Sequence, residues 1–320
     1  MLGLLVVLLL FVFGGCVEGE LENGLEIPPL PRVVIVDFEE ASVPLLDEPA
    51  SSELDMPLFN EYIISLDFEP ESRRISGIES VRYTNRTGAN LDSLVFRVPL
   101  GGDVMEISHV FQDNDELSFS VVDTVLDIRL LREIEPGETV LIHIHFEAAV
   151  PLGNQRSGAN DYAVWGGAFL PVEAVFGQRG WHDEPFYPMS GPFILDVVNH
   201  SVEITTPLGY AVAGTGTKFE TYMDDHKVTT FTAQLTRDFA FAISPYFQRN
   251  SIFSPSGQVE ISLYHYSADL PVDHILGVAA DTLTFFEDVV GMYPFSHLCI
   301  VETDMFVDAV NFSTLIFADS

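Results

Sequence analysis

From residue 58 to about 250 the apolar positions recur mostly at every second residue. Tyr62, Ile64, Leu66 and Phe68 alternate with Ile63, Ser65 and Asp67, and Val140, Ile142, Ile144 and Phe146 alternate with Leu141, His143 and His145. A period of two places one set of side chains on a core and the other toward solvent, which is the signature of a half-buried strand. Further β-rich runs cover 94–98, 202–206, 228–233 and 239–243. Turn chemistry separates the runs, at Thr87-Gly88-Ala89-Asn90, Glu135-Pro136-Gly137-Glu138 and Thr206-Pro207-Leu208-Gly209. Many short strands punctuated in this way predict a mainly β protein, with an antiparallel sandwich or saddle-like domain over residues 58–250.

After residue 250 the period changes. Val259, Ile261 and Leu263 still alternate, and a helix follows. Asp269 is the expected N-cap, and Pro271 sits in the first turn. Val272, Ile275, Leu276, Ala279, Leu283, Phe286 and Val290 share one helical face, and Gly291 is the expected stop. Residues 298–302 and 314–318 read as two more strands. Residues 251–320 are thus expected to be the incomplete start of an α+β domain. Taken alone, residues 259–320 are expected to leave their helix and sheet edges short of packing partners.

The N-terminus reads as an address. Residues 2–13 are almost all Leu, Val, Phe and Gly, too short for a comfortable membrane span but fitting the apolar core of a secretory signal. Small residues then lead to a lone Cys16, an arrangement that looks like a bacterial lipoprotein processing site. Residues 1–16 are expected to be a lipoprotein-type signal peptide, with Cys16 lipidated and the rest of the chain extracytoplasmic. Residues 17–57 hold six prolines and eleven acidic residues against the single Arg32, which predicts an extended spacer.

Composition narrows the partners. The chain carries 48 acidic and 14 basic residues, a formal charge of −34, and its only lysines are Lys218 and Lys227. Such a surface is repelled by phosphate backbones, so nucleic acid is excluded as a partner. Anionic lipid surfaces are disfavoured for the same reason, leaving a lipid anchor or signal segment as the route to a membrane. Two cysteines cannot make a disulfide framework or a Cys-rich zinc module, and Cys299, set in an apolar run, reads as a buried thiol.

Catalytic motifs are scarce. Nine histidines occur, and none begins His-Glu-x-x-His. His143 and His145 lie two apart on a strand and share a face, but no third ligand accompanies them, so a solvent-facing pair is the expectation. His109 reads as isolated. There is no Gly-x-Ser-x-Gly elbow and no Walker loop. The pieces Trp165-Gly166-Gly167 and Ala213-Gly214-Thr215-Gly216-Thr217 read as turns. No catalytic residue and no metal site can be assigned from these residues.

Several segments in order carry a resemblance. They run from Tyr62-Ile63-Ile64-Ser65-Leu66-Asp67-Phe68 and Ile75-Ser76-Gly77 through Val81-Arg82-Tyr83-Thr84-Asn85 to Glu135-Pro136-Gly137-Glu138-Thr139. Phe169-Leu170-Pro171, Gly180-Trp181-His182 and Pro192-Phe193 follow, then Val202-Glu203-Ile204-Thr205-Thr206-Pro207 and Arg237-Asp238-Phe239-Ala240-Phe241. The last are Phe285-Phe286-Glu287 and Met292-Tyr293-Pro294-Phe295. Together they resemble the N-terminal portion of the zinc aminopeptidases of the membrane alanyl aminopeptidase type (gluzincins), in a divergent bacterial form.

The resemblance implies that residues 58–250 are the aminopeptidase N-terminal β-domain and that residues 251–320 open a thermolysin-like catalytic domain. It also implies a segment that binds the amino terminus of a peptide through a Glu. The matching place is Asp308-Ala309-Val310-Asn311-Phe312, with Ala309, Val310 and Asn311 as candidate substrate contacts and Asn311 standing where the Glu would be. An amide supplies no charge to pair with an ammonium group. The family's zinc-binding His-Glu-x-x-His helix lies beyond this segment. Zinc and hydrolysis of a peptide substrate are therefore expected only if the full catalytic domain follows. The alternative is a non-catalytic cell-surface binding or scaffolding lipoprotein derived from that family.

Overall fold

The computed structural model describes residues 59–184 and 194–319. Residues 1–16 with Cys16, the spacer 17–57 and the Pro192-Phe193 pair lie outside the described residues. The chain is mainly β, with one helix among the described residues. The first strands are β1 (Glu61–Glu69), β2 (Arg74–Thr84), β3 (Leu91–Arg97), β4 (Met105–Gln112), β5 (Asp115–Glu116), β6 (Phe119–Val122), β7 (Val125–Ile134) and β8 (Thr139–Ala149). Short strands follow: β9 (Ser157–Ala159), β10 (Val164–Gly166), β11 (Val172–Glu173), β12 (Phe176–Gly177) and β13 (Gly180–Trp181). Then come β14 (Val198–Pro207), β15 (Ala211–Gly214), β16 (Thr217–Tyr222), β17 (His226–Thr236), β18 (Phe241–Ser244), β19 (Gln248–Phe253) and β20 (Glu260–His265). Helix α1 (Val272–Val290) precedes β21 (His297–Thr303), β22 (Ala309–Phe312) and β23 (Leu315–Asp319).

An eight-stranded sheet, ordered β16-β17-β14-β1-β2-β8-β4-β5, forms one outer layer. The period-two strands lie here: β1 and β8 bury alternate residues, as their patterns require. The sheet is not wholly antiparallel, because β1 pairs in parallel with β14. Its apolar face packs onto two four-stranded sheets, β15-β18-β10-β9 and β11-β3-β7-β6, through a core that includes Ile64, Leu66, Phe146, Phe169 and Phe241.

The β15-β18-β10-β9 sheet corrects one expectation. The Gly-rich pieces around Gly166 and Gly214 are strand ends inside a sandwiched layer, not turns between layers. Both faces of this sheet are buried, so its strands lack alternation. Gly166 leaves room for the Phe241 ring and Gly214 for the Phe231 ring, places where a Cβ would collide.

The five-stranded sheet is ordered β19-β20-β21-β23-β22, with parallel β20, β21 and β23 between antiparallel edges. One face packs on α1 through Ile275, Leu276, Ala279 and Leu283. The other packs Tyr264, Val301, Leu315 and Phe317 against Trp165, Ala213, Ala240 and Ala242. Both faces are thus covered, while Phe285, Val289 and Val290 on the outer side of α1 stay exposed and β22 and β19 are edge strands. The small alanines let the large residues of the facing sheet approach closely. The helix begins after Pro271 with no side-chain cap, so Asp269 is not its N-cap, and Gly291 ends it with φ 117°. Cys299 is buried, and burial pushes its thiol up to about 12.

Glu79 breaks the apolar pattern of the core. It lies mid-sheet on β2, opposite Ile64 and Ile144, fully buried, and neither carboxylate oxygen has a hydrogen-bond partner among the described residues. Desolvation raises its pKa well above the ordinary carboxylate value, so the side chain is held protonated. A raised folded-state pKa contributes stability that is fully present below the unfolded pKa and is lost as pH rises toward the folded one. Relative to Glu79→Gln, the native chain should lose up to about 1.4 kcal/mol per pH unit across that window. Denaturant unfolding of both chains at pH 5 and pH 8 measures this. An identical difference at the two pH values would contradict it.

Candidate functional site

A cleft of about 560 Å³ opens where the eight-stranded sheet meets the edge of the five-stranded one. Tyr62 and Ile64 of β1 and His200 of β14 form one wall, and Ala168 to Val172 form the next. Arg237, Asp238 and Phe239, the connection between β17 and β18, contribute a third side together with Arg156. Phe306, Val307 and the edge strand β22, from Ala309 to Phe312, close it.

The three residues singled out in the sequence all reach this cleft. Ala309 is buried toward α1, Val310 is buried toward Trp165, and Asn311 is half-buried. β22 is the sheet's edge, paired only with β23. The Asp319 N–H donates to the Asp308 carbonyl at 2.9 Å. In an antiparallel ladder the inward-bonded residues alternate, so Val310 and Phe312 face β23 with their backbone groups. Ala309 and Asn311 therefore turn their N–H and C=O groups away from β23.

The β22–β23 turn is clamped from the opposite side. The Ser313 N–H donates to Asp238 Oδ1 at 2.7 Å, and the Arg237 N–H donates to the Ser313 hydroxyl at 3.2 Å. The Gly216 N–H donates to Thr314 Oγ1 at 3.1 Å. Thr314 itself has φ 59°, a left-handed conformation rare for a β-branched residue, held here by that bond and by its carbonyl accepting from Cys299 N. Gly167 carries no Cβ where the Phe312 ring packs. The edge strand is thereby fixed over the cleft.

The electrostatics of the walls differ sharply. His200 donates or accepts at Thr236 Oγ1 (2.9 Å) and packs beside Tyr62, with ring centroids 5.3 Å apart. Burial lowers its pKa to about 4, so the ring is neutral at neutral pH. The Tyr62 hydroxyl accepts from the Glu173 N–H at 3.1 Å, and burial raises its pKa well above the ordinary value. Burial also raises Asp238, opposed by its hydrogen bonds from Ser313 and by the Arg237 and Arg156 guanidiniums. Arg237 donates to the Leu195 carbonyl.

Zinc does not fit the residues present. Among the described residues no group of three or more His, Cys, Asp or Glu converges to hold a metal. His200 stands alone among candidate nitrogen ligands in the cleft, and Asp238 is committed to Ser313. Elsewhere, His143 bonds Ser80 Oγ at 2.8 Å, and His145 faces His109 on the outer sheet surface at a centroid distance of 6.3 Å. His109 is thus not isolated, as the β4–β8 pairing brings it opposite His145.

Solved structures show the same architecture. An M1 zinc metallopeptidase from Deinococcus radiodurans aligns at 16% identity with a TM-score of 0.61, covering 82% of this chain and 61% of that one. The chain shares its fold with M1 zinc metallopeptidases. A mutant M1 zinc metallopeptidase from the same organism, bound to a Tyr-Ser-Ala substrate, aligns at 16% identity and TM-score 0.59, covering 82% and 60%. A two-domain M1 zinc metallopeptidase mutant bound to L-arginine gives 17% identity and 0.59, covering 82% and 61%. The chain thus spans less than two thirds of the length of these M1 structures. No family model matches the sequence, and no curated protein matches it.

Tyr62, Arg156, His200, Arg237 and Asp238 were not marked as site residues by their sequence context. Only Arg237 and Asp238 carried a signal, an adjacent opposite-charge pair before an apolar strand. Asp238→Ala should lower stability by about 1–3 kcal/mol, the cost of leaving the Ser313 N–H unpartnered, and should speed hydrogen exchange at that amide. Unchanged exchange at Ser313 would show that the clamp does not hold the turn.

Proposed function

We propose that the chain is the N-terminal portion of an extracytoplasmic zinc-metallopeptidase-like protein, and that its cleft receives peptide in extended form along β22. The observation that carries this reading is the edge strand β22, where the backbone groups of Ala309 turn away from β23 beside a cleft walled by aromatic and aliphatic side chains. An extended peptide adds to such an edge through main-chain hydrogen bonds, while the walls take its side chains. Hydrolysis would require zinc ligands from a longer protein of this fold, and this chain's part is to hold the peptide. A lipidated Cys16 and the acidic spacer would tether it at the cell surface, and its partner is peptide, not nucleic acid.

A second reading is a non-catalytic surface binding lipoprotein. Asn311 favours it, since a neutral amide stands where the aminopeptidase resemblance implies a Glu.

Ala309→Pro tests the edge. It removes one outward N–H at a position where an edge strand tolerates proline. The affinity for an N-acetylated, C-amidated pentapeptide, read by fluorescence polarisation, should fall about tenfold while the melting transition persists. Unchanged affinity would refute pairing at β22.

A further inference from the structure

His200 is a buried polar side chain on the wall of the cleft, and its surroundings fix which nitrogen it presents. Between Val198 and His200 the β14–β17 ladder shifts register, with one extra residue on β17. Leu235, within that irregularity, takes φ 56°, rare for a bulky side chain, and its N–H donates to Asn199 Oδ1 at 3.0 Å. The bulge brings the Thr236 hydroxyl to 2.9 Å from His200 Nδ1. That hydroxyl donates its own proton to the Ala233 carbonyl at 3.5 Å, so toward the ring it accepts, and Nδ1 carries the proton. Burial keeps the imidazole neutral at neutral pH, which leaves a bare lone pair on Nε2. Nε2 has no hydrogen-bond partner among the described residues. Nδ1 points to Thr236, which does not line the cleft, so the ring edge that carries Nε2 is the one turned toward the cavity.

An acceptor set among Tyr62, Ile64, Phe169, Leu170 and Phe239 costs free energy while it stays unmatched in a desolvated site. Asp238 is another acceptor on the lining, and its Oδ1 takes the Ser313 N–H. We infer that the cleft selects a peptide side chain that is aromatic and ends in a hydrogen-bond donor, a Tyr phenol or a Trp indole, with His200 Nε2 accepting from it. This rests on the reading that the cleft receives peptide. The aromatic and aliphatic walls take the body of the side chain, with the Tyr62 and Phe239 rings beside His200 at centroid distances of 5.3 and 6.1 Å. The lone pair separates a side chain with a donor from its apolar counterpart, because a buried acceptor is left unmade by the wrong one. Leu235 and Asn199 are positioning residues, since they act through Thr236.

Three probes titrated into the full chain by calorimetry test this: acetyl-Ala-Tyr-Ala-amide, acetyl-Ala-Trp-Ala-amide and acetyl-Ala-Phe-Ala-amide. The Tyr or the Trp peptide should bind at least about tenfold more tightly than the Phe peptide. His200→Phe keeps an aromatic ring and removes the lone pair, so it should erase that preference, with its melting transition checking the fold. Nitrogen NMR of the native chain reads the contact without a variant: the His200 Nε2 resonance should move when the preferred peptide is added. A preference for Tyr alone or for Trp alone sets how far the donor must reach, and supports the inference. Phe binding as tightly as both, a preference that survives His200→Phe in a folded variant, or an unmoved Nε2 resonance at saturation would overturn it and leave the peptide reading standing. Absence of binding by all three would overturn the peptide reading as well.

Discussion

The cleft exists because two sheets share one buried seam. Trp165 is fully buried, donates its indole N–H to the Gln155 carbonyl at 2.9 Å, and packs where the alanines of the middle sheet meet Leu315 and Phe317 of the five-stranded sheet. Removing a buried side chain of that size costs about 3–5 kcal/mol in general. The seam brings β22 against β1 and the 168–172 segment, and the Asp238–Ser313 clamp fixes the turn that ends it. An edge strand with unpaired groups is ordinarily a liability. Here the edge runs beside an apolar cavity, which makes the outward groups of Ala309 the proposed place for strand addition.

Burial sets the charge states around this geometry. Glu79 in the core and Tyr62 and His200 at the cleft wall are all held in their neutral forms by desolvation. Glu173 is likewise pushed up to about 8, even while accepting from Asn60 Nδ2 at 2.5 Å.

Where one face of a strand meets solvent, the sequence pattern located it: β1, β8, β14 and β17 all fall on alternating runs. The short strands β10 and β15 are buried on both faces and left no such period, which is why Gly166 and Gly214 read as turns. The helix was legible from its apolar stripe, but its start was not. Asp269 offered a cap, and Pro271 instead begins the helix without one. In the site, β22 was found through its resemblance to a peptide-binding segment. The walls opposite were not, because Tyr62, Arg156, His200 and Asp238 are far apart in sequence and meet only through the parallel β1–β14 pairing and the shared seam. His109 was missed for the same reason: its neighbour His145 lies on another strand.

The measurement that bears most directly on this account is amide hydrogen exchange across β22, with and without a bound acetylated peptide. If this edge is the binding element, the outward amide of Ala309 gains protection, while those of Val310 and Phe312, already bonded to β23, change little. Protection that appears elsewhere in the cleft while Ala309 exchanges as before would contradict strand addition at this edge.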